Sequence, residues 1–139
     1  MILTIFPAKK NGILVGAAVE SLTRKGFGGE ISIMVGFNAD GSIRNYQVLK
    51  HAETPGLGSK MQEWFRTDKN HQSILGLNPG KGEMKVSKDG GNIDAITAAT
   101  ISSRAFIDAI QNAYRAFMGE PDVHSAASPK ANQNKEEKK

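Results

Sequence analysis

The sequence predicts an α+β domain, an antiparallel β-meander sheet packed with two or three helices, and three observations carry that prediction. Segments of alternating apolar and polar residues follow one another through residues 2–50, with the hairpin dipeptides Asn11-Gly12 and Asp40-Gly41 between them. Near the end, an apolar stripe with a period of about 3.6 residues runs from Ile101 to Phe117. After Gly119 the periodicity stops, leaving Pro, Ser, Ala, Asn, Lys and Glu with no apolar repeat. Residues 1–118 are therefore read as one domain and 119–139 as a disordered tail.

The elements follow in order. Ile2–Ala8 and Ile13–Glu20 flank the Asn11-Gly12 turn, and Ile13, Val15, Ala17 and Val19 alternate along the second strand. Ile31, Ile33, Val35 and Phe37 mark a third strand, and Asp40-Gly41 turns the chain into a fourth at Ile43–Lys50, whose alternation is less clean. From Gly56 to Arg66 the spacing predicts a short helix with Leu57, Met61, Trp64 and Phe65 inward. A loop follows around Asn78-Pro79-Gly80, then a fifth strand at Met84–Lys88 and a turn at Gly90-Gly91. The last helix turns Phe106, Ile110, Ala113, Tyr114 and Phe117 to the core, and Asp108, Gln111, Asn112 and Arg115 away from it.

Composition narrows the function classes. A chain of 139 residues with 39% hydrophobic side chains can bury one core, and no run is long enough to cross a bilayer. Met1–Phe6 runs straight into Pro7 and lacks the basic start of a secretory signal. The absence of cysteine excludes disulfides, thiolate metal sites, iron–sulfur ligation and cysteine nucleophiles. The net charge is +4, and in the tail Lys130, Lys135, Lys138 and Lys139 cancel Glu120, Asp122, Glu136 and Glu137. The excess therefore falls on residues 1–118, where it is dispersed, with no basic run interleaved with aromatics; nucleic acid is not an expected partner. Lys60, Lys81, Lys85 and Lys88 are read as solvated, with Lys85 and Lys88 the candidates for charge near a bound ligand.

Two stretches carry chemistry. Asp94-Ala95-Ile96-Thr97-Ala98-Ala99-Thr100-Ile101-Ser102-Ser103 is a hydroxyl-rich turn entering the last helix. A helix start presents free N–H groups and the positive end of the dipole, which together favour a phosphate. The plainer reading is an N-cap with solvated neighbours, although Thr100-x-x-Ser103 lacks the acid or amide of a capping box. The other stretch is Glu53-Thr54-Pro55-Gly56-Leu57-Gly58, which reads equally as a type II turn or a ligand loop. Pairing His51 with Thr100 or Ser102 would suggest a hydrolase. No strained nucleophile elbow surrounds either hydroxyl, and His71 and His124 fall in polar contexts, so that reading has little support.

Asp94 to Ser103 resembles the flavinylation motif of the FMN-binding domain in the G subunits of Rnf electron-transport complexes. That domain is related to one in the C subunits of sodium-translocating NADH:quinone reductases. The family motif reads approximately Asp-x-x-Ser/Thr-Gly-Ala-Thr-x-Ser/Thr, so Asp94 matches the acid, Thr97 the first hydroxyl, Ala99 the alanine and Thr100 the residue that carries FMN. Ala98 stands where the family more often has glycine. Gly26-Phe27-Gly28-Gly29-Glu30-Ile31, Val35–Gly41 and His51–Gly58 are also similar to family segments, and the likeness spans approximately residues 2–118.

The resemblance implies an electron carrier with FMN held covalently by a phosphoester on Thr100, flanked by Thr97, Ala98, Ala99, Ile101 and Ser102. Asp94 would brace the turn or guide modification. The Glu53–Gly58 loop would cover the flavin, with Leu57 as the apolar contact, Gly56 and Gly58 leaving room for the ring, and Glu53 and Thr54 as polar contacts or braces. It also implies a separate magnesium-dependent flavin transferase that moves FMN from FAD with release of AMP. Neighbouring subunits of a membrane redox complex would exchange electrons with the carrier on the periplasmic side of the bacterial inner membrane. Anchoring would come from an N-terminal helix outside this sequence. From a different function class, the residues also allow a non-redox module that reversibly holds a phosphate-bearing ligand at the same helix start.

Overall fold

Four strands in sequence order form one antiparallel sheet in a computed structural model that describes residues 4–119. They are β1 (Thr4–Lys10), β2 (Ile13–Gly26), β3 (Gly29–Asn38) and β4 (Ile43–Lys50). Asn11 and Gly12 have φ of 54° and 79°, the left-handed pair that a two-residue hairpin needs. β2 runs well past Glu20 because Leu22 and Thr23 still pair with β3 and the next hairpin closes only at Phe27-Gly28. The β1–β2 register shifts at Ala8/Lys9, and this bulge changes which face β2 presents. Leu14 joins Ala17 and Val19 in the core, whereas Ile13 and Val15 are exposed.

One face of the sheet is covered by a long helix. Val19, Ser21 and Thr23 of β2 and Ile31, Ile33, Val35 and Phe37 of β3 are buried against it, as period-two alternation requires when one face is covered. The helix, Thr100–Met118, lies chiefly over β2, with Phe106, Ile110, Ala113 and Phe117 buried and Tyr114 half-buried. Its polar contacts with the sheet are specific: Ser21 Oγ donates to Ala109 O at 2.8 Å and Thr23 Oγ1 to Asp108 Oδ2 at 3.0 Å. Phe37 stacks on Phe117 with centroids 5.0 Å apart. Phe106 meets Tyr46 edge-on at 4.9 Å and stacks on Phe65 at 4.6 Å, joining helix, sheet and connecting segment.

The segment between β4 and that helix departs from expectation in two places. The helix predicted over Gly56–Arg66 is a 3₁₀ turn at Gly58–Lys60 followed by one α-helical turn, α1 (Met61–Trp64), which makes the long helix α2. Met61 and Phe65 are buried and Trp64 half-buried, but Leu57 is 37% exposed. The cause is local: Gly56 has φ of 79° and Leu57 sits at φ −119°, ψ −103°, so the Pro-Gly turn holds Leu57 outside the helix. Met84–Lys88 is not a strand either. Met84 and Val86 are buried and Lys85 exposed, as a strand would have them, but Val86 makes only an isolated parallel bridge to Ile93. A 3₁₀ turn at Ser87–Asp89 and a left-handed Gly90 (φ 93°) fold the chain back before a ladder can form. The tail from Glu120 onward, expected to be disordered, lies outside the described residues.

Candidate functional site

Three separated segments meet at one buried carboxylate. Glu53 is only 4% exposed. Its Oε1 accepts from Phe27 N at 2.9 Å and from Ser102 Oγ at 2.5 Å, and its Oε2 accepts from Gly28 N at 2.8 Å. The β2–β3 turn, the loop after β4 and the first turn of α2 are thereby held on a single side chain. Close packing around it explains two glycines. A Cβ at Gly28 would lie 2.0 Å from Ala52 O, and one at Gly58 would lie 2.4 Å from Ser102 Oγ and 2.8 Å from Glu53 Cβ.

Above this junction lies a cavity of about 380 Å³ lined by Phe27, Thr54, Leu57, Gly58 and residues Ala98 to Ser102. That volume is in the range of small-molecule and cofactor sites. Its wall at Ala98–Ser102 is the entry into α2. Ala98 has φ of 61°, a left-handed conformation that costs an alanine roughly 1–2 kcal/mol, so glycine is the natural residue there. Ala99 is the N-cap and makes no side-chain capping bond, which sets aside the cap reading of Thr97 and Thr100. Ser102 and Ser103 are buried rather than solvated. Ser103 Oγ accepts from Ile96 N and donates to Ala99 O, both at 2.9 Å, pinning the turn from beneath. The first helical N–H bond runs from Ser103 to Ala99, leaving the N–H groups of Thr100, Ile101 and Ser102 without helical acceptors beside the cavity.

The sequence-derived candidates divide in two. Thr100, Ala98, Ala99, Ile101, Ser102, Thr54, Leu57 and Gly58 line the cavity. Thr97 is exposed and outside the lining, as is Gly56, around which an added Cβ would meet nothing within 4 Å. The free space at Gly58 is taken by Ser102 and Glu53, so packing requires that glycine. Asp94 accepts from His71 N at 3.1 Å and from Ser87 Oγ at 3.3 Å, the geometry of a brace away from the cavity. His51 is exposed and its Nδ1 accepts from Glu53 N. Lys85 pairs with Glu83 at 3.5 Å, and neither it nor Lys88 lines the cavity. Phe27, 68% exposed and part of the cavity wall, is not among the sequence-derived candidates. The signal that points to it is an aromatic set among glycines at a hairpin turn.

A helix start opening onto a partly open cavity suits a ligand with a phosphate at one end and an apolar body at the other. Comparison with known proteins gives that ligand class a family: a model described as the FMN-binding domain matches residues 26–115, and the chain belongs to that family. Its similarity extends to curated proteins named as the G subunit of the ion-translocating oxidoreductase complex. It is 39% identical over 112 residues to that of Aliivibrio fischeri strain MJ11, covering 78% of this chain and 52% of the relative. For Vibrio parahaemolyticus the figures are 40% over 116 residues, 76% and 50%; for Pseudoalteromonas atlantica they are 31% over 128 residues, 89% and 58%. The chain thus spans about half the length of the curated relatives it matches. Among the described residues no helix is long and apolar enough to cross a membrane.

The residues present fit FMN. Among the described residues the N–H groups of Thr100, Ile101 and Ser102 have no helical acceptor and suit the phosphate, and Phe27, Leu57 and Ile101 offer apolar surface for the ring system.

Proposed function

We propose that this chain is an electron-carrying domain with FMN attached through a phosphoester on Thr100, working within a membrane-associated, ion-translocating redox complex. One observation carries the choice of residue. Thr100 opens α2 and lines the cavity, whereas Thr97 is exposed and outside the lining. FMN supplies the redox chemistry when bound. The chain's own residues hold and orient: Ala98 and Ala99 present Thr100 at the helix start, where the dipole and free N–H groups favour a doubly linked phosphate.

In the attachment, catalysed by a separate flavin transferase, the Thr100 hydroxyl forms a bond to the FMN-side phosphorus of FAD. The bond from that phosphorus to AMP breaks, and the hydroxyl proton passes to solvent. The name shared by the relatives supports neighbouring subunits as electron donor and acceptor. The family resemblance points to the side of the membrane away from the cytoplasm, where a covalent link keeps the flavin from being lost.

Co-expression with a flavin transferase tests the assignment. The intact mass should rise by one FMN phosphoester, peptide mapping should find it on Thr100, and Thr100→Ala should abolish it. A yellow colour that leaves on denaturing gel filtration, or a label on Thr97 with Thr100 unmodified, would overturn the proposal.

A further inference from the structure

We propose that Glu53 is a positioning residue that fixes the polarity of the cavity: it claims the proton of Ser102, so Ser102 meets a ligand only as a hydrogen-bond acceptor. The identity of that ligand rests on the reading of the cavity as an FMN site. The geometry of the clasp does not.

A carboxylate has only acceptors, and a serine hydroxyl has one proton. Phe27 N, Gly28 N and Ser102 Oγ all donate to Glu53, and the Ser102 contact at 2.5 Å is the shortest of the three. Charge-assisted bonds of this kind are about twice as strong as neutral ones, so a ligand acceptor competes poorly for the Ser102 proton. Ser102 also lines the cavity, and the bond it donates to Glu53 leaves its hydroxyl with acceptor capacity alone. A phosphate oxygen is itself an acceptor and finds no donor in that side chain. A ligand hydroxyl does find a partner there. Ser102 is therefore assigned to the polyol part of the ligand, between phosphate and ring, while backbone N–H groups at the helix start serve the phosphate.

A second consequence follows from burial. Glu53 does not line the cavity, yet it contacts Ser102, which does, and the packing leaves no room for a Cβ at Gly58 between them. Among the described residues no Lys, Arg or His side chain bonds to its carboxylate; His51 Nδ1 accepts only from its backbone N–H. A buried negative charge directly behind the lining disfavours bringing an electron into the cavity, which lowers the midpoint potential of whatever redox group sits there.

The test uses the full chain with and without flavin. In the flavin-free protein, Glu53→Gln should speed hydrogen exchange at the Phe27 and Gly28 amides, and unchanged exchange would overturn the clasp. In flavin-loaded protein, with loading confirmed by intact mass, Glu53→Gln should raise the midpoint potential and alter the visible circular dichroism. A folded, loaded variant matching wild type in both would make Glu53 a purely structural brace and overturn the proposal. Should Glu53→Gln fail to fold, Ser102→Ala decides, since it removes the acceptor and leaves the charge. Its flavin dichroism should change, and a wild-type signal would overturn the assignment. Failure of wild type to take up flavin would count against the FMN reading alone, because amide exchange still judges the clasp.

Discussion

Residues 4–50 and residues 51–99 satisfy their backbones in different ways. The first stretch is a meander whose backbone groups satisfy one another strand by strand. The second has one α-helical turn and three 3₁₀ turns, and its backbone combines short turn bonds, such as Leu57 N to Thr54 O and Leu77 N to Ile74 O, with bonds from side chains elsewhere in the chain. Tyr46 Oη donates to Met61 O at 2.6 Å, Trp64 Nε1 to Asp94 O at 2.8 Å, and Gln111 Nε2 to Met84 O at 3.1 Å. Gln62 Oε1 accepts from Val48 N, tying the loop to the last strand. Regular backbone tolerates changes in the side chains it does not bury. Irregular backbone depends in addition on individual polar side chains that close its turns, and the cavity lies where the two kinds meet.

The sharpest way to break that contrast is at the aromatic joint. Phe106 is fully buried between Tyr46 and Phe65, so Phe106→Ala should cost about 3–5 kcal/mol in urea unfolding. A loss below about 1 kcal/mol would mean that the loop segment does not depend on the sheet–helix core.

Next comes Gly58→Val, where the first added carbon already lies 2.4 Å from Ser102 Oγ. Displacing Ser102 or Glu53 should lower stability by about 1–3 kcal/mol and distort the flavin spectrum. Thermal melting unchanged from wild type would show that the junction yields freely.

Tyr46 probes the side-chain ties one at a time. Burial pushes its hydroxyl up to about 12 from an ordinary value of 10, against the opposing pull of Arg66. A group with a raised folded value stabilises below its unfolded value, so this contribution is intact below pH 10 and is lost as pH rises towards 12. Tyr46→Phe should flatten that alkaline loss and cost about 1 kcal/mol at neutral pH for the bond to Met61 O. Identical alkaline unfolding curves for the two proteins would contradict it.

The smallest effect has the opposite sign. Ala98→Gly relieves a left-handed alanine but loosens the unfolded chain, and the balance should be a gain of about 0.5 kcal/mol or less. Destabilisation of that size or more, measured in the same unfolding assay, would show that the Ala98 methyl packs productively against the cavity wall.

What is legible in the sequence follows the same division. Asn11-Gly12 can be read because its left-handed turn is a local property of those two residues, and the β3 alternation and the α2 stripe because each is a local pattern with one face buried. The Asp94–Ser103 run is legible as a helix start, though its capping is not, since Ala98 and Ala99 shape that turn through backbone angles. Met84–Lys88 has a strand's pattern without a strand's partner, and partners are a tertiary property. Glu53 can be named as a candidate, but its bonds to Phe27 and Ser102 bridge 26 and 49 residues, beyond any local signal. Phe27 escapes sequence reasoning for the same reason.

The seating of α2 on β2 also sets an order of assembly. Ser21 and Ala109, joined by one hydrogen bond, are 88 residues apart in the chain, and the cavity wall at Ala98–Ser102 belongs to the same late helix. The meander pairs only neighbours and can close early, since short loops cost little entropy to bring together. The pocket comes into being only when the last element docks. Any partner that recognises the finished pocket therefore inspects a completed domain, and a chain released from synthesis before α2 would offer it nothing to recognise.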